Sequence, residues 1–94
     1  MPSEVRIAAY LAGLAAAAGG RPVMLGEVGF DPRDGGGGNA ARRDFITRVG
    51  RWSGRIGLAG GFIWAYGRAA DQSFGLGPGD PESTWLLQQW RKLL

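Results

Sequence analysis

The residue whose position most strongly suggests chemistry is Glu27, which stands near the end of an apolar run over residues 22–28. A carboxylate that emerges from an apolar segment costs free energy unless it is exposed or paired. Because side chains alternate along a strand, Val23, Leu25 and Glu27 share one face of the predicted strand. The neighbouring Gly26 has no side chain and leaves room for a substrate to approach closely. Glu27 is therefore a candidate catalytic carboxylate.

The residue types that are absent from the sequence exclude several other kinds of site. The chain has no histidine and no cysteine, which excludes the usual structural zinc sites and Cys/His nucleophiles within it. No motif supports a metal site built from oxygen ligands, and no cofactor is predicted. The net charge of +3 comes from arginines that are spread along the sequence without forming a run. Nucleic-acid binding is therefore not favoured.

Glycine-rich segments divide the sequence into five predicted elements, which together form one unit over residues 1–94. Apolar residues at helical spacing predict three helices, whereas two short, nearly continuous apolar runs predict strands that are covered on both faces of a parallel sheet. Ser3, Asn39 and Asp80 are the expected helix N-caps. The elements are a helix over 4–18, a strand over 22–28, a helix over 40–55, a strand over 61–66 and a helix over 81–93.

In the helix over 40–55 the aromatic and aliphatic residues are predicted to lie inward and the arginines outward, as a solvated face. The outward group consists of Arg42, Arg43, Arg48, Arg51 and Arg55. The apolar stretch in the first helix is too short to span a bilayer, and no membrane association is predicted. A signal peptide is the alternative interpretation of this helix. The residues before its apolar stretch include Glu4 as well as Arg6, so they lack the excess of positive charge that a signal peptide needs.

Two segments of the chain resemble the last two strands of a known enzyme superfamily. The run Pro-Val-Met-Leu-Gly-Glu-Val-Gly at residues 22–29 resembles the seventh-strand motif of retaining glycoside hydrolases that include endoglucanases and β-mannanases, namely glycoside hydrolase family 5 and its relatives. The run Ala-Gly-Gly-Phe-Ile-Trp-Ala-Tyr at residues 59–66 is similar to the eighth strand. The loop before the last helix is also similar to the family's ending, so the resemblance extends over residues 21–93.

The resemblance implies an α/β fold in which the chain forms part of a (β/α)8 barrel. The implied part is the sixth helix with the last two βα units, which contain strands seven and eight. A complete barrel needs roughly 250 residues, whereas this chain has 94. We therefore expect a longer polypeptide or a companion chain to supply the remainder of the barrel.

The resemblance also implies a function and a set of site residues. Glu27 would be the nucleophile of a double-displacement reaction on a β-linked polysaccharide or oligosaccharide, without a cofactor. The second carboxylic acid lies on the fourth strand in the family, so the chain alone is expected to be inactive. The family also implies an extracellular enzyme. The residues expected to contact the carbohydrate are Trp64, whose ring would stack on a sugar, and Tyr66, Phe30 and Asp71.

Other interpretations of these residues stay open at the level of sequence. Glu27 could pair with an arginine at the edge of a sheet, and Trp64 could belong to the core. Tyr66, Phe30 and Asp71 offer only their positions near the predicted mouth. For the whole chain, the alternative function is a non-catalytic carbohydrate-binding or assembly module. A third hypothesis is a quarter-barrel that oligomerises to close a ring, because two strands would expose edges that need pairing.

Overall fold

The structure, a computed structural model, describes residues 3–33, 37–63, 76–77 and 79–93. Its elements follow the order helix, strand, helix, strand, helix. They are α1 (Glu4–Ala17), β1 (Met24–Val28), α2 (Gly38–Ile56), β2 (Gly60–Ile63) and α3 (Pro81–Leu93). None of the helices in this part of the chain is long and apolar enough to cross a bilayer.

Two of the three helix starts use the side chains that the sequence indicates. Ser3 caps α1, because its hydroxyl oxygen accepts a 3.2 Å hydrogen bond from the backbone N–H of Arg6. Asp80 precedes α3, and one of its carboxylate oxygens accepts from the backbone N–H of Ser83 at 3.2 Å. The prediction of Asn39 as the N-cap of the second helix was wrong. α2 begins at Gly38, two residues before the predicted start, and its N-cap is Gly37, which makes no side-chain capping bond.

The core lies where the three helices and one face of the sheet meet. The central helix α2 packs against both α1 and α3. Its buried residues Ile46 and Val49 contribute to the same cluster as Leu11 of α1 and Leu86 of α3. The complete set of buried apolar residues is Ile7, Leu11, Val28, Ile46, Val49, Leu76, Leu86 and Trp90. The apolar stripes of the sequence thus indicate correctly which helix faces are buried.

Two glycines of α2 let α3 approach closely. A Cβ atom added at Gly50 would lie 2.9 Å from a methyl carbon of Leu93, and one added at Gly54 would lie 2.5 Å from the carbonyl oxygen of Leu93. Both distances are shorter than van der Waals contact. The spacing of four residues places Gly50 and Gly54 on the same side of the helix, so glycine is required there by packing.

The two strands pair in parallel with an irregular register. Met24 pairs with Gly60 and Leu25 with Gly61, but the next partners are Val28 and Ile63. Three steps along β1 therefore match two steps along β2, which is the signature of a β-bulge. Because of the extra residue, Leu25 and Val28 both pack against the helices, whereas strict alternation would place them on opposite faces.

The prediction of a partial (β/α)8 barrel with strands seven and eight was wrong. The described residues form three helices and a two-stranded parallel sheet, and this sheet is covered on one face only. Met24 and Phe62 are 56% and 62% exposed on the other face, where a barrel strand would be buried. Leu25, which the barrel would place in its interior, packs on the helical side instead.

Candidate functional site

Glu27 is the penultimate residue of β1 and is exposed to solvent. The bulge directs the side chain of the next residue, Val28, into the core and leaves the Glu27 side chain at the surface. Within the part of the chain that the structure describes, the Glu27 carboxylate has no ion pair and accepts no hydrogen bond. The alternative of a structural carboxylate paired with an arginine therefore gains no support from the structure.

Glu27 differs in this respect from every other carboxylate among the described residues. Glu4 accepts a hydrogen bond from the indole N–H of Trp52 at 3.1 Å. The remaining four are held by arginine or serine, in the pairs Asp31–Arg33, Asp44–Arg48, Asp80–Ser83 and Glu82–Arg43. Such a carboxylate must break an existing contact before it can act on a ligand, whereas Glu27 is available as it stands.

A cavity of about 360 Å³ opens beside Glu27. Residues 24–29, which include β1, form one wall. The other walls come from α1, through Tyr10, Leu11 and Leu14, and from α2, through Phe45 and Val49. The volume lies at the lower end of the range typical of small-molecule sites. Glu27 supplies its sole ionisable group apart from the phenol of Tyr10, so the cavity combines one carboxylate with other side chains that are aliphatic or aromatic.

Phe30 lies at the edge of this region, three residues after Glu27. Its ring packs against that of Phe45 with the centroids 5.3 Å apart and the planes tilted by 35°. Tilted aromatic pairs at this separation are stabilising. Phe30 is thus anchored on α2, and the anchor fixes the direction in which the chain leaves β1.

The carboxylate nearest in sequence, Asp31, is not suited to act as a proton donor beside Glu27. The guanidinium of Arg33 binds both of its oxygens, at 3.2 Å each, and the backbone N–H of Arg33 adds a bond of 2.9 Å. These bonds hold the pKa of Asp31 below its usual range because they stabilise the charged form. A general acid needs the opposite shift.

The other predicted contacts cannot be placed. Trp64, Tyr66 and Asp71 lie outside the described residues. Tyr10 is a wall residue that the sequence did not reveal, because it lies outside the stripe of Ile7 and Leu11 and is 67% exposed. The signal that could have identified Tyr10 is an exposed aromatic residue on a helix face that is otherwise rich in alanine.

The outward face predicted for α2 needs one correction. Arg42 is only 5% exposed and is buried with the core, because α2 packs on two sides and leaves a narrower solvent face than a simple amphipathic helix. One of its terminal nitrogens donates to the side-chain oxygen of Asn39 at 3.4 Å. The other members of the arginine group are less buried, so the prediction holds for them.

The described residues show no grouping of three or more carboxylates that could hold a metal ion. The site offers a free carboxylate, a cavity beside it with aliphatic side chains in its walls, and aromatic rings at its border. Comparison with models of known protein families gives no match, and comparison with curated protein sequences gives no significant match.

Proposed function

We propose that this chain contributes the carboxylate nucleophile, Glu27, to a retaining glycoside hydrolase whose site a second polypeptide segment completes. The observation that carries the proposal is that Glu27 alone, among the carboxylates of the described residues, is exposed and has no partner. The motif around it, Met-Leu-Gly-Glu-Val-Gly, adds the resemblance on which the reaction class rests.

The reaction would proceed in two displacements. An oxygen of Glu27 attacks the anomeric carbon of a β-linked sugar, the glycosidic C–O bond breaks, and a second carboxylic acid donates its proton to the leaving oxygen. Water, deprotonated by the same second group, then attacks the glycosyl ester and releases Glu27 unchanged. The two carboxyl groups need to stand about 5–5.5 Å apart.

The second carboxylic acid has to come from outside the described residues. Five of their six carboxylates are already bound, and the bonds to Asp31 favour its charged form. The described residues therefore offer no proton donor for the leaving group, and we expect the chain to be inactive until a companion segment brings one. The rings of Tyr10 and Phe30 would contact the apolar faces of a sugar.

Chemical rescue distinguishes a nucleophile from a residue with a structural role. In the completed assembly, Glu27→Ala should abolish glycosidase activity, and added azide should restore turnover by attacking the anomeric carbon in place of the carboxylate. Asp31→Ala is the matched control, because it removes a neighbouring, partly buried carboxylate; its activity should persist. Full activity of Glu27→Ala without azide would contradict the proposal.

A non-catalytic carbohydrate-binding module remains the second candidate, since exposed aromatic rings also suit simple binding. The isolated chain separates the two functions. Two results together would favour the binding module. The isolated chain would bind a β-glucan saturably, with the same affinity in the Glu27→Gln variant, and the assembly would be inactive.

A further inference from the structure

The cavity beside Glu27 has a charge that its own walls leave uncompensated. Its lining side chains are aliphatic or aromatic, apart from the carboxylate of Glu27 and the phenol of Tyr10. No arginine or lysine belongs to the lining, and the Glu27 carboxylate has no ion pair within the described ranges. The cavity is therefore complementary to a ligand that carries one positive charge.

A single carboxylate suits an organic cation better than a divalent metal ion. Calcium and magnesium require several oxygen ligands, whereas the described residues contain no suitable group of three or more acidic side chains. Asp31, the next carboxylate in the sequence, is already bound by Arg33. An organic ammonium ion needs only one counter-charge, and its N–H groups form short, charge-assisted hydrogen bonds with a carboxylate.

The backbone wall of the cavity supplies further acceptors for a primary ammonium group, which has three N–H donors. Residues 24–29 form this wall, and Gly26 and Gly29 have no side chain to cover their peptide groups. A Cβ atom added at Gly26 would meet no atom within 4 Å, so the space beside it is open. Within the described ranges β1 pairs with β2 alone, so carbonyl groups that point away from β2 are available as acceptors.

The two helical walls determine what kind of group carries the ammonium. Leu11 and Leu14 of α1 and Phe45 and Val49 of α2 line the cavity, and such surfaces favour an apolar body. The ring of Tyr10 is 67% exposed, and an exposed aromatic face attracts cations and packs against other rings. A neutral sugar would instead need several polar side chains for its hydroxyl groups.

We propose that this cavity binds a small primary ammonium ion with an aromatic or aliphatic body, with Glu27 as its counter-ion. The ammonium group contacts the carboxylate and the backbone of residues 24–29, and the apolar body lies against α1 and α2. The proposal does not rest on the glycosidase reaction. In a completed assembly such an ion would compete with the sugar for Glu27.

Calorimetric titration of the chain with phenethylammonium tests the role of the charge. The ion should bind saturably, and phenethyl alcohol, its neutral isostere, should bind roughly tenfold more weakly. Glu27→Gln should weaken binding of the ion by a similar factor. Asp44→Asn is the control, because it removes the same charge outside the cavity lining. Absence of saturable binding, or equal affinity of ion and alcohol, would overturn the proposal.

Variants of Tyr10 test where the ion binds. Tyr10→Ala should weaken binding by about two- to fivefold through loss of the aromatic face, whereas Tyr10→Phe, which keeps the ring, should bind like the parent chain. Phe62→Ala is the control, because Phe62 is similarly exposed but lies outside the lining. Equal losses in Tyr10→Ala and Phe62→Ala would contradict binding in this cavity. Because the titrations use the chain alone, their failure is distinguishable from a failure of azide rescue in the assembly.

Discussion

The indole N–H of Trp90 donates a 2.9 Å hydrogen bond to the carbonyl oxygen of Gly61 and so ties α3 to β2. Trp90 is almost fully buried, and its ring covers the strand at a position where the sequence has glycine. Because β2 pairs with β1, this contact also supports the strand that carries Glu27. Trp90 thus helps to hold the sheet from the helical side.

Gly61→Ala should destabilise the fold. The added methyl carbon would lie 2.8 Å from the Trp90 ring and 3.2 Å from Cβ of Leu25, and overpacking of this kind typically costs about 1–3 kcal/mol. Urea unfolding followed by tryptophan fluorescence measures the loss. Gly60→Ala is the control, since a methyl group there meets nothing within 4 Å. Equal loss in both variants would show that the indole contact is not the cause.

Alanine substitution at two helical glycines should change the stability of the fold in opposite directions. At Gly54 the methyl group would lie 2.5 Å from the Leu93 carbonyl oxygen, which belongs to the backbone of α3. The helices must move apart, and the free energy of unfolding should fall. At Gly13 of α1 the added methyl group would meet no atom within 4 Å. Alanine should therefore raise the free energy of unfolding there by up to about 1 kcal/mol through its higher helix propensity. Thermal melts of both variants check the signs, and a stabilised Gly54→Ala would contradict the close helix packing.

Ser53→Ala should be neutral or stabilising. Ser53 is fully buried, and its hydroxyl oxygen has no hydrogen-bond partner within the described part of the chain. A buried hydroxyl without a partner costs about 1–3 kcal/mol of desolvation, and alanine removes that cost while favouring the helix. Denaturant unfolding provides the measurement. A loss of more than about 1 kcal/mol would indicate that the hydroxyl is hydrogen-bonded.

Asp80 should make stability depend on pH in the acid range. The Ser83 hydroxyl donates to its carboxylate at 2.7 Å, and this bond, with the cap to the Ser83 N–H, lowers the pKa of Asp80 below its usual range. The folded state therefore binds the proton more weakly than the unfolded chain. The stabilisation is complete above the unfolded-state pKa and is lost as the pH falls through the folded-state pKa.

Asp80→Asn isolates that contribution. Asparagine can still cap the helix but cannot titrate, so the difference in unfolding free energy between the two proteins should shrink as the pH falls through this range. Melting curves at several pH values measure it. A difference that stays constant down to the lowest pH would show that the Asp80 carboxylate is not stabilised in the folded state.

The helices could be predicted from the sequence because each one carries a stripe of apolar residues, and α1 and α3 also carry a side-chain cap. Leu11, Leu86 and the Ser3 cap are local features of this kind. The strand β1 was harder, since strict alternation puts Leu25 and Val28 on opposite faces, and only the bulge, which depends on pairing with β2, brings both to the core. The barrel prediction failed for a related reason: an apolar run does not reveal whether one face or two will be covered.

The site was predictable only in part. The exposure of Glu27 follows from the cost of burying an unpaired carboxylate, and the sequence already singled it out. The cavity walls were not predictable, because Tyr10 and Phe45 meet β1 only after α1 and α2 pack together. The burial of Arg42 is likewise a consequence of tertiary packing that the helical pattern does not encode.

Covalent labelling tests the central claim most directly. A mechanism-based fluoroglycoside, whose glycosyl ester is hydrolysed slowly, would be incubated with the completed assembly, and the labelled residue would be identified by fragmentation of the peptide that contains both Glu27 and Asp31. The account predicts one sugar adduct, on Glu27, and none in Glu27→Gln. If the adduct formed on another carboxylate and the Glu27→Gln assembly kept its activity, the assignment of Glu27 as the nucleophile would be contradicted.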